Sequence, residues 1–140
     1  MEEMEVRLVK ESWAQVVPIA QEAMAMFYSN LFSLDEKVAR LFDGKDMLAQ
    51  GSKLSNALNL VIENLDQPGI MTAKLQEIGA RHADYGATEA DFETVGKALI
   101  MTLESGLGDS WAPAHERAWT VAYTFVSDHM IAGLRTKQAA

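Results

Sequence analysis

The sequence predicts an all-α fold of about seven helices around one core. Three observations carry that expectation. Apolar residues recur every three to four positions almost everywhere, no segment sustains the alternation of a strand, and the stripes differ in length with short corners between them. Unequal helices and short corners suit an irregular helical globule better than an up-and-down bundle. The 140 residues are expected to form one domain, 1–140, since soluble domains commonly run to ~100–150 residues.

Val6, Val9, Trp13, Val16 and Val17 trace one face of a first helix, and Pro18, which cannot donate the helical hydrogen bond, ends or bends it. Met24, Phe27, Tyr28 and Leu31 make the stripe of a second. Ser33-Leu34-Asp35-Glu36 has the spacing of a capping box and predicts a short third helix ending near Leu41-Phe42. After the turn Asp43-Gly44-Lys45-Asp46, residues Leu54, Ala57, Leu58, Val61, Ile62 and Leu65 give the clearest i, i+3, i+4, i+7 pattern in the chain. Gln67-Pro68-Gly69 breaks this fourth helix. Met71, Leu75, Ile78, Gly79 and His82 line a fifth, which Gly86 stops. Thr88 to Asp91 caps a sixth with Phe92, Val95, Leu99 and Leu103 inward, ending around Gly106-Leu107-Gly108. Pro113 is tolerated near the start of the last helix, whose stripe runs Trp119, Tyr123, Val126, Met130 and Leu134.

Composition narrows the chemistry. There is no cysteine, which excludes disulfides, thiolate metal sites, a cysteine nucleophile and covalent attachment of a c-type haem. The formal charge of −8 has the wrong sign for gripping a phosphate backbone, so nucleic acid is not an expected partner. No apolar run reaches the ~20 residues of a membrane span. The acidic start Met1-Glu2-Glu3 is unlike a secretory signal, and a soluble cytoplasmic protein without a membrane partner is expected.

Function is sought where polar residues break apolar faces, because burying them is costly unless something satisfies them. Tyr28 lies in the inner stripe of the second helix, Gln50 one turn before Leu54 on the fourth, and His82 at the end of the fifth stripe. A neutral histidine can offer one ring nitrogen to iron while a backbone carbonyl orients the other. Taken singly, His82 reads first as a core histidine satisfied by the backbone, and Tyr28 and Gln50 as solvated or half-buried polar groups. His115 and His129, on the last helix, read as exposed or locally hydrogen-bonded, and the eight methionines as core filler.

In combination these residues resemble the globin family, in particular bacterial single-domain globins and the globin domain of flavohaemoglobins. Phe27-Tyr28-Ser29-Asn30-Leu31-Phe32 followed by Val38-Ala39-Arg40-Leu41-Phe42 is similar to their second and third helices, Gln50-Gly51-Ser52-Lys53-Leu54 to their distal helix, and Gly79-Ala80-Arg81-His82 with Tyr85-Gly86 to their proximal histidine region. Ala118-Trp119 to Tyr123 resembles the start of their last inner stripe. Gln50 and His82 stand 32 residues apart, which suits two facing helices with one corner between them. The resemblance implies a globin fold around a non-covalent haem b (iron protoporphyrin IX). It further implies His82 as the iron ligand, a distal pocket of Tyr28, Gln50 and Leu54, and haem contacts from Phe42, Lys53, Leu54, Arg81, Phe92 and Val95. Lys53 and Arg81 read either as partners of the propionates or as ordinary solvated cations.

Two departures from the flavohaemoglobin pattern bear on activity. The tyrosine and glutamate that flank the proximal histidine there align with Phe92 and Leu134, so a network making His82 more basic is not expected. No flavin- or nicotinamide-binding segment follows, so self-contained nitric-oxide dioxygenase activity is not expected either. The resemblance leaves two roles open. One is reversible binding of dioxygen, nitric oxide or carbon monoxide for storage, delivery or sensing; the other is nitric-oxide dioxygenation with an external reductase.

Overall fold

The computed structural model describes residues 1–139. Seven α-helices follow one another, with no strand among those residues: α1 (Glu3–Val16), α2 (Ala20–Leu34), α3 (Glu36–Arg40), α4 (Met47–Glu63), α5 (Pro68–Asp84), α6 (Glu89–Leu107) and α7 (Pro113–Ala139). Their ends are chemically marked. Pro68 and Pro113 open α5 and α7, where a missing N–H goes unnoticed. The Asp46 carboxylate accepts from the amides of Leu48 and Ala49 at the start of α4, and Thr88 and Asp91 cap α6 reciprocally. Gly86, with φ of 85°, takes the left-handed turn that stops α5.

Two local expectations are corrected. Ser33 does not start the third helix: α2 runs on to Leu34, and Asp35 is the cap, its carboxylate accepting from the amides of Lys37 and Val38. A charged acceptor at that end also meets the positive pole of the helix, which a serine hydroxyl does not match. Val17 is not on the inner face but 48% exposed, because Pro18 tightens the chain into a 3-10 turn, Val17–Ile19, that rotates it outward.

The main core joins α1, α2, α4, α6 and the first half of α7 around Val9, Trp13, Phe27, Leu31, Ile62, Leu103 and Trp119. Met71 and Leu75 of α5, Phe92 of α6 and Leu134 of α7 are buried outside that cluster. Helix α7 thus carries buried residues both inside that cluster and outside it. Helix α4 packs on α2, while α5 packs on α7 more extensively than any other two elements do; α4 and α5 themselves hardly touch.

The α5–α7 crossing is a contact of main chains. A Cβ on Gly79 would enter the backbone of Met130, and one on Gly133 the backbone of Gln76, so each glycine lets the opposite helix lie against it. Overpacking costs ~1–3 kcal/mol, against the ~1 kcal/mol that alanine gains over glycine inside a helix. Gly79→Ala and Gly133→Ala should therefore lower the urea midpoint. Gly106→Ala, where nothing lies within 4 Å of the added methyl, should raise it slightly.

Candidate functional site

His82 stands in the last turn of α5, half-buried. Its Nδ1 lies 2.8 Å from the carbonyl oxygen of Ile78. A carbonyl can only accept, so in the neutral ring Nδ1 carries the proton and Nε2 keeps its lone pair. Nε2 has no hydrogen-bond partner among the described residues. The rings of Phe92 and Tyr85 flank the imidazole at 5.6 and 5.8 Å, which limits its rotation.

Tyr28 is 8% exposed and sits in an aromatic cluster, with ring centroids 5.0 Å from Phe27, 5.9 Å from Phe32 and 5.3 Å from Phe42. Its hydroxyl points at the main-chain oxygen of Gln50, 3.4 Å away, a long and weak hydrogen bond. Tyr28, Phe42 and Gln50 are therefore brought together where α2, the end of α3 and α4 meet. The amide side chain of Gln50 makes no hydrogen bond among the described residues, and Leu54, one turn further on, is half-buried against the main core. Val95 packs against the same core from α6.

The two cations differ. Arg81 is exposed and donates to Glu77 at 2.6 Å, one turn back on α5. Lys53 is exposed on α4 and has no ion-pair partner among the described residues. His115 accepts from the amide of Ala112 and stacks on Trp111, and His129 packs edge-on against Phe125. Two partners in the site have no signature in residue type: the Ile78 carbonyl, which any residue supplies, and Tyr123, whose hydroxyl donates to the main-chain oxygen of Phe92.

Among the described residues no three His, Cys, Asp or Glu side chains converge to hold an ion. A metal taken by His82 must bring most of its own ligands. A planar metallocycle fits that donor set, since it needs one imidazole and apolar walls, of which the buried Phe92 beside His82 is one. No helix among the described residues is long and apolar enough to cross a membrane.

The globin family model matches residues 25–130 of the chain. The chain belongs to the globin family. Relatives of this globin include the anaerobic nitrite reductase of Physcomitrium patens, 25% identical over 96% of the chain and 82% of that protein, and the anaerobic nitrite reductase of Casuarina glauca, 28% identical over 91% and 86%. The flavohemoprotein of Bacillus subtilis (strain 168) is 27% identical over 82% of the chain, and the match spans 30% of its length. The crystal structure at pH 4 of the hexacoordinated heme protein from an anhydrobiotic tardigrade superposes with a TM-score of 0.86 at 18% identity, covering 96% of each chain. That likeness shows the globin fold.

Burial pushes the Tyr28 hydroxyl up from 10.0 to about 12, and raises Tyr123 well beyond the usual phenol range by the same cause. A raised acid favours the folded state while protonated, so this contribution is complete below the unfolded value near 10 and is lost as pH climbs toward 12. Tyr28→Phe should flatten part of the decline in urea midpoint between about pH 9.5 and pH 11.5, leaving the part due to Tyr123.

Proposed function

We propose that this globin holds one haem b non-covalently through Nε2 of His82 and binds dioxygen reversibly. One observation carries the reading: the bond from Nδ1 to the Ile78 carbonyl leaves Nε2 as an unpartnered lone pair on a half-buried ring beside the buried Phe92. When bound, haem supplies the ferrous iron that takes a diatomic ligand. The protein does the rest. The Ile78 carbonyl fixes the tautomer and orientation of His82, while Phe92 and Val95 wall its side of the cofactor. Phe42 and Leu54 keep water away from the distal side, and Tyr28 and Gln50 offer O–H and N–H donors to a ligand that carries partial negative charge. Lys53 is the cation available to a propionate; Arg81 can join it only by leaving Glu77, a cheap exchange because exposed ion pairs contribute ~0–1 kcal/mol.

Haem uptake with a Soret band tests the reading, and failure of the purified protein to take up added haem overturns it. His82→Gly should lose haem or regain a normal spectrum only with added imidazole. The ferrous, ligand-free protein should be five-coordinate, because the amide of Gln50 is a far poorer iron ligand than imidazole. A low-spin ferrous spectrum at neutral pH counts against Gln50 as the distal residue.

A hydrogen bond to a charged acceptor is worth ~1.5–3 kcal/mol, so Tyr28→Phe should speed dioxygen dissociation by roughly 10- to 150-fold. Carbon monoxide, which accumulates less charge, should respond far less. If Tyr28→Phe and Gln50→Leu both leave stopped-flow dioxygen dissociation within about twofold of the parent, the distal assignment is wrong.

A second reading is chemistry on nitrogen oxides, favoured by the relatives named anaerobic nitrite reductases and by the flavohemoprotein. In air it is dioxygenation of nitric oxide with electrons from a separate reductase; without air it is reduction of nitrite. Turnover of nitric oxide with a reductase, set beside anaerobic turnover of nitrite by the reduced protein, separates both from simple ligand binding.

A further inference from the structure

We infer that Tyr123 is the positioning residue of the proximal side, holding Phe92 so that Phe92 in turn fixes the His82 imidazole. The inference rests on the haem-binding reading above. Where the flavohaemoglobin pattern places a tyrosine and a glutamate beside the proximal histidine, this chain has Phe92 and Leu134, neither of which can hydrogen-bond to the ring. Orientation of His82 then depends on the Ile78 carbonyl and on packing.

The packing has a definite support. Tyr123 reaches across from α7, and its ring lies directly on Gly96 of α6, so closely that a Cβ there would come within 2.7 Å of Cε2. Its hydroxyl donates to the carbonyl oxygen of Phe92, one helical turn back. That carbonyl is also the helical acceptor for the Gly96 amide, so the tyrosine clamps one turn of α6 by its face and by its hydroxyl. Phe92 belongs to the first turns of α6, the part of a helix that frays most readily. The Phe92 ring is 7% exposed and meets the imidazole at 5.6 Å with a 43° tilt. Holding its backbone therefore limits rotation of the imidazole away from Ile78. Phenol, glycine, carbonyl, phenyl ring and imidazole form one continuous line of contact from α7 to the iron-binding nitrogen.

Tyr123→Phe removes the hydroxyl and keeps the ring; Gly96→Ala keeps the hydroxyl and displaces the ring. In the haem-loaded protein both should shift the iron–histidine stretching band in the ferrous resonance Raman spectrum to lower frequency. Both should also speed haem transfer to an excess of an apoglobin acceptor by about 5-fold, what loss of one neutral hydrogen bond supplies. In a Phe92→Ala background, which keeps the carbonyl but removes the ring, Tyr123→Phe should add no further shift. A parent protein that takes up no haem overturns the haem reading and this inference with it. A parent that takes up haem, with Tyr123→Phe and Gly96→Ala variants whose band and transfer rate match it while only their urea midpoints move, overturns this inference alone. Should Tyr123→Phe fail to fold, Gly96→Ala decides, since added helix propensity offsets part of the cost of displacing a side chain rather than a main chain.

Discussion

The approach of α5 to α7 at Gly79 and Gly133 is the constraint on which the site depends. Helix α5 carries His82 yet has hardly any packing against α4, so nothing on the distal side sets its height or rotation. Two glycines facing opposite main chains set them instead, and Leu134, next to Gly133 and completely buried, fills the space beside the crossing. Because α7 also joins the main core through Ala118, Trp119 and Ala122, one 27-residue helix sets the distance from α5 to that core. Main-chain contacts make the distance sharp, since neither partner has rotamers with which to relax.

Buried polar groups are satisfied elsewhere in the fold. Trp119 donates through Nε1 to the Ser12 hydroxyl, which donates in turn to the Leu8 carbonyl, and Trp13 donates to Asn59, tying α1 to α7 and α4. Asn30 donates to the Thr102 hydroxyl, which passes its own proton to the Ala98 carbonyl, tying α2 to α6. No buried side-chain nitrogen or oxygen among the described residues lacks a partner. Spare capacity remains on half-buried groups, among them Nε2 of His82 and the side-chain amide of Gln50, and on the hydroxyl of Tyr28 with its long bond.

The helices were legible in the sequence because each apolar stripe is a local property, and so were their ends wherever a proline, a glycine or a capping pair such as Thr88 and Asp91 marks them. Asp35 was displaced from its role by the nearby Ser33, since both can cap and only the backbone at Asp35 leaves the helix. Membership of the globin family was legible because Phe42, Gln50 and His82 recur in order on helices of the right length. What stayed hidden is pairwise and distant. Gly79 reads as one more small residue on a stripe until Gly133 is known to cross it, and Tyr123 reads as core until its hydroxyl finds a carbonyl 31 residues away. The Arg81–Glu77 pair is different, since its i, i+4 spacing is visible in the chain and already argues that Arg81 is occupied.

The Tyr28 hydroxyl shows how a weak internal bond can serve the proposed function. At 3.4 Å from the Gln50 carbonyl it is near the outer limit of hydrogen bonding, so breaking it costs less than the ~1 kcal/mol of an ordinary neutral bond. A donor turned to a partly anionic ligand gains ~1.5–3 kcal/mol, so the exchange runs toward the ligand. Without the resting bond, the buried hydroxyl of a tyrosine packed among Phe27, Phe32 and Phe42 would be unsatisfied, a larger cost that would disfavour the ligand-free state. A short bond to Gln50 would have the opposite effect and hold the proton back. The long bond is the intermediate case: it satisfies the phenol at rest and yields it at little cost, while the surrounding rings keep the tyrosine from swinging out to water.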